Sequence, residues 1–274
     1  MTTTQSQRRA RGQDVLSTLA LSPDPQRAAE GMERRHGSLG TFAVDHVLGN
    51  LWSRSQLSRR DRSLIVVAFL ATIGASDELS AHVEGAINHG LSRDEIREII
   101  NQVAGYGGFP MAMHATRIVD ETFCRLDGVE RLAPKEPGPR LDDADRYTAA
   151  TDVLSTLFGG RTSSDPAEAR AGVVTNLGGV GEMAFDFGFG ELWARPQLSR
   201  RDRSMVTVAI LAILKCAEEL AVHVPGALNH GCTRDEVEEI MVQLSVYGGF
   251  PRSVEGMRAT RAAFAKIDAR TAKS

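Results

Sequence analysis

The sequence predicts an all-α fold built from two tandem helical domains, and three observations lead to this prediction. Apolar residues recur at three- and four-residue spacing over long stretches, which is the pattern of helices with one buried face. One half of the chain repeats in the other, and no segment shows the two-residue alternation of a half-buried strand. With 274 residues and 42% apolar composition, the chain can bury the cores of two such domains.

The repeat has an offset of 141 residues. The segment LWSRSQLSRRDRS begins at Leu51 and matches LWARPQLSRRDRS, which begins at Leu192. Without a gap, 35 of the 60 positions in 51–110 are identical to their partners in 192–251. A further match, DVLSTL at positions 14 and 152, adds a leading helix to each copy. This identity indicates duplication of one domain, and we expect the two copies to pack face to face as a pseudo-dimer.

The segment 133–143 is rich in Pro, Gly and charge, which is the composition of a linker. We therefore predict a first domain over residues 1–132 and a second domain over residues 144–274. Two copies are too few for an open repeat array, which generally needs about three units to bury a continuous core.

Four helices are predicted in each repeat after the leading helix. Gly90 stands where a left-handed cap would end the second of them, and Ser92 with Glu95 matches the capping box that begins the third. The turn Gly-Gly-Phe-Pro at 107–110 is expected to break the chain before the fourth. In the first repeat the predicted helices cover Arg62–Ile73, Asp77–His89, Ser92–Tyr106 and Met111–Leu126.

Charge and composition restrict the class of partner. The net charge is −3 with acidic and basic residues interspersed, which argues against the basic face that nucleic acids and anionic membranes usually need. No apolar run approaches the roughly 20 residues of a membrane span, and no apolar stretch follows the polar residues 1–13. The three cysteines form no CxxC pair, which argues against a disulfide framework or a structural zinc site. We therefore expect a soluble, cytoplasmic protein whose partner is a small molecule, with no nucleic acid and no membrane.

The candidate catalytic residues are a glutamate and a histidine four positions apart, present as Glu78 with His82 and as Glu219 with His223. Residues four apart lie on one face of a helix, so each carboxylate could orient and charge-tune the imidazole beside it. Such a histidine can protonate the carbon left when carbon dioxide departs, or move a proton between two carbons. This chemistry requires no metal and no organic cofactor when the substrate carries its own electron sink.

The same residues belong to an ordered series of motifs. The series is LSRRDRS, an apolar helix, Glu-Leu-x-x-His, Gly-Ala-x-Asn-x-Gly, Ser/Thr-Arg-Asp-Glu and Tyr-x-Gly-Phe-Pro, and it occurs over roughly 40–126 and again over 181–267. In this series the chain resembles the carboxymuconolactone decarboxylase family, within the alkylhydroperoxidase D-like superfamily. The resemblance implies an all-helical fold and a homo-oligomer, which for a tandem chain would be a homotrimer arranged as a pseudo-hexamer, or a dimer.

The resemblance also separates two chemistries. Peroxidase-type members of the superfamily are expected to carry the motif Cys-x-x-Cys-x-x-x-His. In this chain the two cysteine positions of the motif hold Ala75 and Glu78 in one repeat and Cys216 and Glu219 in the other. No dithiol can form within either repeat, whereas the Glu-x-x-x-His of decarboxylase-type members is retained in both. The expected activity is therefore that of a cofactor-independent decarboxylase or a proton-transfer isomerase. Two alternatives stay open: a peroxidase-like reductase that uses Cys216 with an external thiol, and a non-catalytic binding or assembly module.

One departure from the family pattern bears on the substrate. In the muconolactone enzymes that the chain resembles, the residue two positions after this histidine is an arginine. The present chain has Glu84 and Pro225 at the two equivalent positions. An arginine at that place would suit a substrate carboxylate. Its replacement predicts a different and less anionic substrate, in the class of small unsaturated lactones and keto acids.

Twelve further residues are candidates for substrate binding. They extend the histidine stripe, begin the arginine run, precede it as tryptophans, lie just before, at or after the Gly-Gly turn, or, for the cysteine, occupy the first-thiol position of the peroxidase pattern. The tryptophans could instead be packing anchors, the tyrosines could cap the helix bundle, and the cysteine could be a small core hydrophobe. Most arginines of the run are expected in surface ion pairs. A metal site is not expected, because Glu78 and His89 are about 16 Å apart along a helix. The candidates are Trp52, Trp193, Arg59, Arg200, Tyr106, Tyr247, Phe109, Phe250, His89, His230, His114 and Cys216.

The two repeats differ where their chemistry is expected. Gly-Ala-Ser at 74–76 corresponds to Lys-Cys-Ala at 215–217, and His114 corresponds to Glu255. The two pockets therefore cannot be chemically identical, and the sequence leaves open which of them carries the activity.

Overall fold

The computed structural model describes residues 4–133 and 141–272. Within these ranges the chain forms fourteen α-helices and two π-helical segments, and it has no strand. The prediction of an all-α fold is confirmed. Residues 134–140 of the predicted linker lie outside the described residues, and the boundaries at 132 and 144 stay predictions.

The helices of the two halves follow the same order. The first half contains α1 (Gln5–Leu19), α2 (Pro25–His36), α3 (Ser38–Phe42), π1 (Ala43–Trp52), α4 (Arg59–Ile73), α5 (Ser76–Asn88), α6 (Arg93–Tyr106) and α7 (Phe109–Asp127). The second half contains α8 (Asp143–Phe158), α9 (Pro166–Leu177), α10 (Gly179–Met183), π2 (Ala184–Leu192), α11 (Arg200–Leu214), α12 (Ala217–Asn229), α13 (Arg234–Tyr247) and α14 (Phe250–Thr271).

Local signals in the sequence set most helix ends. Ser92 accepts a hydrogen bond from the Glu95 backbone N–H, and the Glu95 side chain accepts one from the Ser92 backbone N–H, so the predicted capping box is confirmed. The Gly-Gly turn breaks the chain as expected, but α7 begins at Phe109 rather than at Met111. The reason is that proline is tolerated in the first helical turn, where its missing N–H would have no helical partner.

The π-helical segments were not predicted. π1 packs along α1 at two glycines, and a Cβ added to Gly12 would lie 2.2 Å from the Val44 carbonyl oxygen. A Cβ added to Gly49 would lie 2.2 Å from the Arg8 carbonyl oxygen. Only glycine permits the two backbones to approach so closely. The π-helix is wound more widely than an α-helix. Trp52, the last residue of π1, lies in the core, where its side chain is 1% exposed.

The two repeats share one hydrophobic core. α4 packs against α11 and α13, and α11 packs in turn against α6, so helices of both repeats meet in the centre of the molecule. Almost every residue of α4 and α11 is buried, and their side chains belong to one continuous cluster. The tandem domains therefore form the pseudo-dimer that the repeat predicts.

Buried ion pairs cross the interface between the repeats, which corrects the expectation that the arginine runs form surface pairs. Arg62 is fully buried and donates to Glu239 Oε1 at 2.8 Å and to Gln243 Oε1 at 2.7 Å. In the reciprocal arrangement, fully buried Arg203 donates to Glu98 Oε2 at 2.9 Å. Buried charges persist only when they are paired, so these contacts hold the two repeats in one register.

The described part of the chain contains no helix that is long and apolar enough to cross a membrane. It also contains no group of three or more His, Cys, Asp or Glu side chains placed to hold a metal ion.

Candidate functional site

The structure brings tryptophan, histidine and tyrosine side chains together in two equivalent clusters, each built from both repeats. The first cluster joins Trp52 of π1, His82 of α5 and His89, which directly follows α5, to Tyr247, the last residue of α13. The second cluster joins their counterparts from the other repeat, which are Trp193, His223, His230 and Tyr106. Each predicted candidate site therefore requires the neighbouring repeat to complete it.

In the first cluster, the His82 ring lies between two aromatic neighbours. Its centroid is 5.9 Å from that of Trp52 in a stacked arrangement and 5.4 Å from that of Tyr247 in an edge arrangement. Trp52 Nε1 donates to the Tyr247 hydroxyl at 2.9 Å, and this hydroxyl lies 3.4 Å from His82 Nε2. These contacts fix the ring and give Nε2 a protein partner.

The other ring nitrogen, Nδ1, has no protein partner in either cluster. His82 Nδ1 and His223 Nδ1 are both shielded from solvent, and neither makes a hydrogen bond within the described chain. His223 is 8% exposed, whereas His82 is partly exposed. Buried polar atoms are nearly always satisfied, so the unpartnered Nδ1 marks both histidines as candidate site residues, and His82 is the less buried of the two.

Burial sets the charge of all four cluster histidines. Desolvation, with a smaller contribution from the charge of His89, lowers the pKa of His82 from its ordinary 6.5 to about 4. The same causes, with His230 as the neighbour, lower the pKa of His223 to about 4. Both imidazoles are therefore neutral at pH 7, and each carries one donor nitrogen and one acceptor nitrogen.

His89 and His230 have both ring nitrogens engaged. His89 Nδ1 lies 2.8 Å from Ser63 Oγ, and its Nε2 lies 3.1 Å from Thr18 Oγ1. His230 repeats these contacts with the equivalent serine and threonine at 2.8 and 3.0 Å. Because both ring nitrogens have hydrogen-bond partners, His89 and His230 connect the ends of α5 and α12 to neighbouring helices. Only the face of each ring is available for contact with a substrate.

The predicted carboxylate partners do not reach the histidines. Glu78 and Glu219 lie in the first turns of α5 and α12, and both are exposed. No hydrogen bond or ion pair within the described residues joins Glu78 to His82 or Glu219 to His223. Spacing by four residues places both groups on one side of the helix, but the histidine turns into the core while the glutamate turns to solvent. The structure therefore brings neither carboxylate to its imidazole, and in the first cluster the Tyr247 hydroxyl of the other repeat lies at the histidine instead. A catalytic role for Glu78 and Glu219 stays a prediction.

Arg59 and Arg200 lie beside the clusters but are already engaged. Arg59 donates to Thr18 Oγ1 at 2.6 Å and pairs with Asp14 of α1. Arg200 donates to Thr156 Oγ1 at 3.0 Å and pairs with the aspartate equivalent to Asp14. The positive charge of each arginine contributes to the low pKa of the nearby His89 or His230. They hold the leading helix of each repeat against the cluster.

The clusters differ at one buried position of the central helices. Thr207 of α11 accepts a hydrogen bond from Gln102 Nε2 at 3.0 Å. Burial raises the pKa of Tyr106, and hydrogen bonding from Trp193 and from the Thr207 hydroxyl opposes this rise. The equivalent residue of α4 is Val66, and Gln243 Nε2 is consequently buried with no partner. No hydrogen bond within the described chain joins Tyr106 to His223. Only Tyr247, in the cluster without the threonine, directs its hydroxyl to a histidine.

The remaining candidates lie away from both clusters. Phe109 and Phe250 are 57% and 72% exposed, and His114 Nε2 lies 2.9 Å from Ser76 Oγ. Cys216 is partly buried just before α12, and desolvation together with the charge of Glu219 raises the pKa of its thiol. A raised thiol pKa disfavours the reactive thiolate, which argues against the reductase alternative.

Sequence reasoning missed three groups of site residues. These are the serine and threonine hydroxyls on the second histidine of each cluster, the Glu98 and Glu239 carboxylates beneath the interface, and Thr207. The first two groups are identical in both repeats, so comparison of the repeats gave no sign of their roles. Thr207 could have been found, because it is a polar residue inside an apolar helix whose copy carries a valine.

Comparison with known proteins supports the family resemblance that the sequence motifs indicate. Residues 39–121 and 179–262, together more than half of the chain, each match the model of the carboxymuconolactone decarboxylase family. The chain is 40% identical to the 4-carboxymuconolactone decarboxylase of Acinetobacter baylyi over 128 residues. These residues cover 45% of this chain and 90% of the relative. It is also 35% identical to the nitrosuccinic acid decarboxylase of Metarhizium robertsii over 80 residues. These residues cover 29% of this chain and 56% of the relative. The chain therefore belongs to the carboxymuconolactone decarboxylase family and carries the family's helical domain twice.

Proposed function

We propose that this protein is a decarboxylase that acts without a cofactor on a small acid carrying its own electron sink, such as a keto acid or an unsaturated lactone acid. Family membership and the names of the two relatives, both decarboxylases of small acids, support the reaction class. The observation that carries the proposal is the unpartnered, shielded Nδ1 of His82 beside a tyrosine hydroxyl on the opposite nitrogen.

The neutral imidazole of His82 acts as a proton relay. When Nε2 accepts from the Tyr247 hydroxyl, the single hydrogen of the neutral ring resides on Nδ1. That N–H is the donor available to a substrate, first as a hydrogen bond to the developing enolate oxygen and then as a proton source.

The steps balance with water as the only other reactant. The bond between the carboxylate and its carbon breaks, carbon dioxide leaves, and the electron pair moves into the carbonyl or unsaturated lactone. The carbon then takes the Nδ1 proton while Nε2 takes the Tyr247 proton, which leaves the other imidazole tautomer beside a phenolate. After product departure, Nδ1 takes a proton from water and Nε2 returns its proton to the Tyr247 oxygen, which restores the starting tautomer. Burial raises the pKa of Tyr247, but the hydrogen bond from Trp52 and the charge of Arg62 oppose this rise and favour the transient phenolate.

The first cluster is proposed as the principal active centre. His82 is more exposed than His223, and only His82 has a tyrosine hydroxyl on Nε2. In the second cluster, no hydrogen bond within the described chain joins Tyr106 to His223, and the Thr207 hydroxyl opposes the rise that burial causes in the pKa of Tyr106. Because the centre takes Tyr247 from the other repeat, a single repeat alone would lack the relay.

The substrate is proposed to differ from 4-carboxymuconolactone. Two residues after His82 the chain has Glu84, which forms an ion pair with Arg125 at 2.9 Å. The equivalent position after His223 is Pro225, inside α12. Neither residue can receive a second substrate carboxylate, so a monocarboxylic keto acid or lactone acid fits better than a dicarboxylic lactone.

The proposal is tested by carbon dioxide release from a panel of monocarboxylic β-keto acids and unsaturated lactone acids, with the reaction run in D₂O. Decarboxylation predicts one carbon dioxide per substrate consumed and one deuterium on the carbon that lost the carboxylate. Deuterium exchange or double-bond migration without gas release would instead identify an isomerase. Quantitative recovery of every substrate unchanged would favour a binding module and reject the proposal.

We also propose that the chain is a homo-oligomer, with a trimer as the first expectation. Large apolar side chains are exposed at equivalent positions of the two repeats, with Leu39 and Phe42 in one and Val180 and Met183 in the other at 56–70% exposure. Exposed apolar groups in repeated positions are typical of contacts between subunits. Sedimentation equilibrium should give a mass of three chains, and a monomer would reject this proposal. The predicted cytoplasmic location stays a prediction.

A further inference from the structure

A cavity of about 370 Å³ lies between the two repeats, and the histidine clusters do not use it. Its volume falls within the range of about 300–1,000 Å³ that is usual for small-molecule sites. Its walls come from α6 and the start of α7 on one side, and from π2 and the loop after π2 on the other. The apolar part of the wall consists of Ala104, Phe109, Leu141, Phe187, Leu192, Ala194 and Pro196, and Leu141 comes from the segment before α8.

Helix α6 separates this cavity from the second histidine cluster. Asn101 and Ala104 line the cavity and lie three residues apart, on one face of α6. Tyr106 follows Ala104 by two residues, which is a rotation of about 200° around the helix, and its ring contacts His223. The cavity is therefore a different site from the cluster on the other side of the helix.

Two phenylalanines form one side of the cavity. The ring centroids of Phe109 and Phe187 are 5.7 Å apart, with 35° between the ring planes. Phe109 has no large neighbour covering it, as its 57% exposure shows. Such a pair offers a flat apolar surface to a planar ligand.

Arg195 gives the cavity a positive charge with free donors. Its Nε donates to Glu98 Oε1 at 2.7 Å, and neither terminal nitrogen of its guanidinium has a partner in the described chain. Glu98 also accepts from Arg203 at 2.9 Å and from Asn101 at 2.8 Å. One carboxylate thus serves two guanidinium groups, which leaves one positive charge uncompensated, and Arg195 is the member that lines the cavity.

The equivalent arginine of the other repeat provides a matched comparison. Arg54 binds Glu239 through two nitrogens, with Nε at 2.7 Å and Nη2 at 2.8 Å, so its guanidinium is more fully engaged. The acidic residue in the cavity wall, Glu191, is 54% exposed to solvent, and its carboxylate lies 3.4 Å from Arg146, which also pairs with Asp143 at 2.7 Å. The cavity therefore combines apolar walls with an available cation.

We propose that this cavity binds a small monocarboxylate with a flat apolar body, such as an aromatic or unsaturated acid. The carboxylate lies at the terminal nitrogens of Arg195, and the body lies against Phe109 and Phe187. The site is distinct from both histidine clusters and does not depend on the decarboxylase proposal.

The test uses benzoate as the probe and benzamide as its uncharged analogue, both titrated into the full chain and followed by calorimetry and ligand-observed NMR. Benzoate should bind saturably at one site per chain, and benzamide should bind at least about tenfold more weakly because it cannot make charge-assisted hydrogen bonds. Absence of saturable binding at about 10 mM benzoate, or equal affinity for benzamide, would overturn the proposal.

Variants locate the site. Arg195→Gln should weaken benzoate binding at least about tenfold, whereas Arg54→Gln, its counterpart in the other repeat, should change it less than about twofold. Asn101→Trp, at an exposed helix position, should fill the cavity and abolish binding while the circular dichroism spectrum and melting temperature are retained. Equal losses in the two arginine variants would overturn the proposal, as would loss of benzoate binding in the His82→Gln/His223→Gln double variant.

Discussion

Thr207 and Val66 occupy equivalent positions on the central helices of the two repeats, and the difference between them divides the two histidine clusters. Thr207 Oγ1 accepts a hydrogen bond from Gln102, and its hydroxyl opposes the rise that burial causes in the pKa of Tyr106. With valine at the equivalent place, the Tyr247 hydroxyl lies 3.4 Å from His82 Nε2. We therefore propose that this exchange of a methyl group for a hydroxyl determines which tyrosine serves a histidine.

Exchanging these two residues should shift the activity. Val66→Thr gives Gln243 a partner and gives the Tyr247 oxygen a competing donor, so kcat should fall about fivefold, which corresponds to about 1 kcal/mol for one hydrogen bond. Thr207→Val changes only the second cluster and should leave kcat within about twofold of the parent. The measurement is steady-state decarboxylation of the best substrate from the panel. A larger loss in Thr207→Val than in Val66→Thr would contradict the assignment of the first cluster.

Removing the tyrosine hydroxyl tests the relay from the other repeat. Tyr247→Phe keeps the ring against His82 but removes the proton source at Nε2, so kcat should fall by about 10²-fold, as expected for loss of general acid catalysis. Tyr106→Phe is the matched control and should have a much smaller effect. Solvent deuterium should slow the parent more than Tyr247→Phe, because the variant no longer transfers two protons in sequence. Equal activity of Tyr247→Phe and the parent would show that His82 works without its neighbour.

The pH profile reports the charge of the imidazole. The neutral ring is the active form, and burial lowers the pKa of His82 to about 4. Because protonation removes the acceptor that holds Tyr247, kcat/KM should stay level from about pH 8 to pH 6 and fall as the pH approaches 4. A loss of kcat/KM centred between pH 6 and 7 would instead indicate an exposed histidine with an ordinary pKa.

The stability of the pseudo-dimer depends on its buried arginines. Arg62→Met leaves the Glu239 carboxylate in the core with only Arg54 as its charged partner, so the free energy of unfolding should fall by about 3 kcal/mol. Arg93→Met, which removes a half-exposed ion pair with Asp127, should cost less than about 1 kcal/mol. Urea denaturation followed by circular dichroism measures both values. Similar losses in the two variants would contradict a special role for the buried pair.

The helices could be predicted from the sequence because their signals are local. The capping box at Ser92 and Glu95 involves residues three positions apart, and the periodicity of α4 appears within one stretch of chain. The π-helical segments could not be predicted, because they depend on the contact between π1 and α1 at Gly12 and Gly49. Residues almost forty positions apart determine that contact.

Several residues of the candidate site could be predicted from the sequence, but the contacts between them could not. His82, Trp52 and Tyr247 could be selected from motifs, yet the contact between His82 and Tyr247 joins residues 165 positions apart. Helical spacing suggested Glu78 as the partner of His82, but spacing does not tell which side of the helix faces the core. The charged run predicts surface ion pairs for most of its arginines, yet Arg62 is fully buried, and its partner Glu239 in the other repeat explains this burial.

The most direct test of the decarboxylase proposal is carbon dioxide release by the parent chain and by the His82→Gln/His223→Gln double variant, measured with equal helicity and equal assembly. The parent should release carbon dioxide, and the double variant should be at least about 10²-fold slower, because both imidazole proton donors are lost. The single variant His82→Gln should account for most of this loss. Unchanged release by the double variant would contradict the central role of the imidazoles.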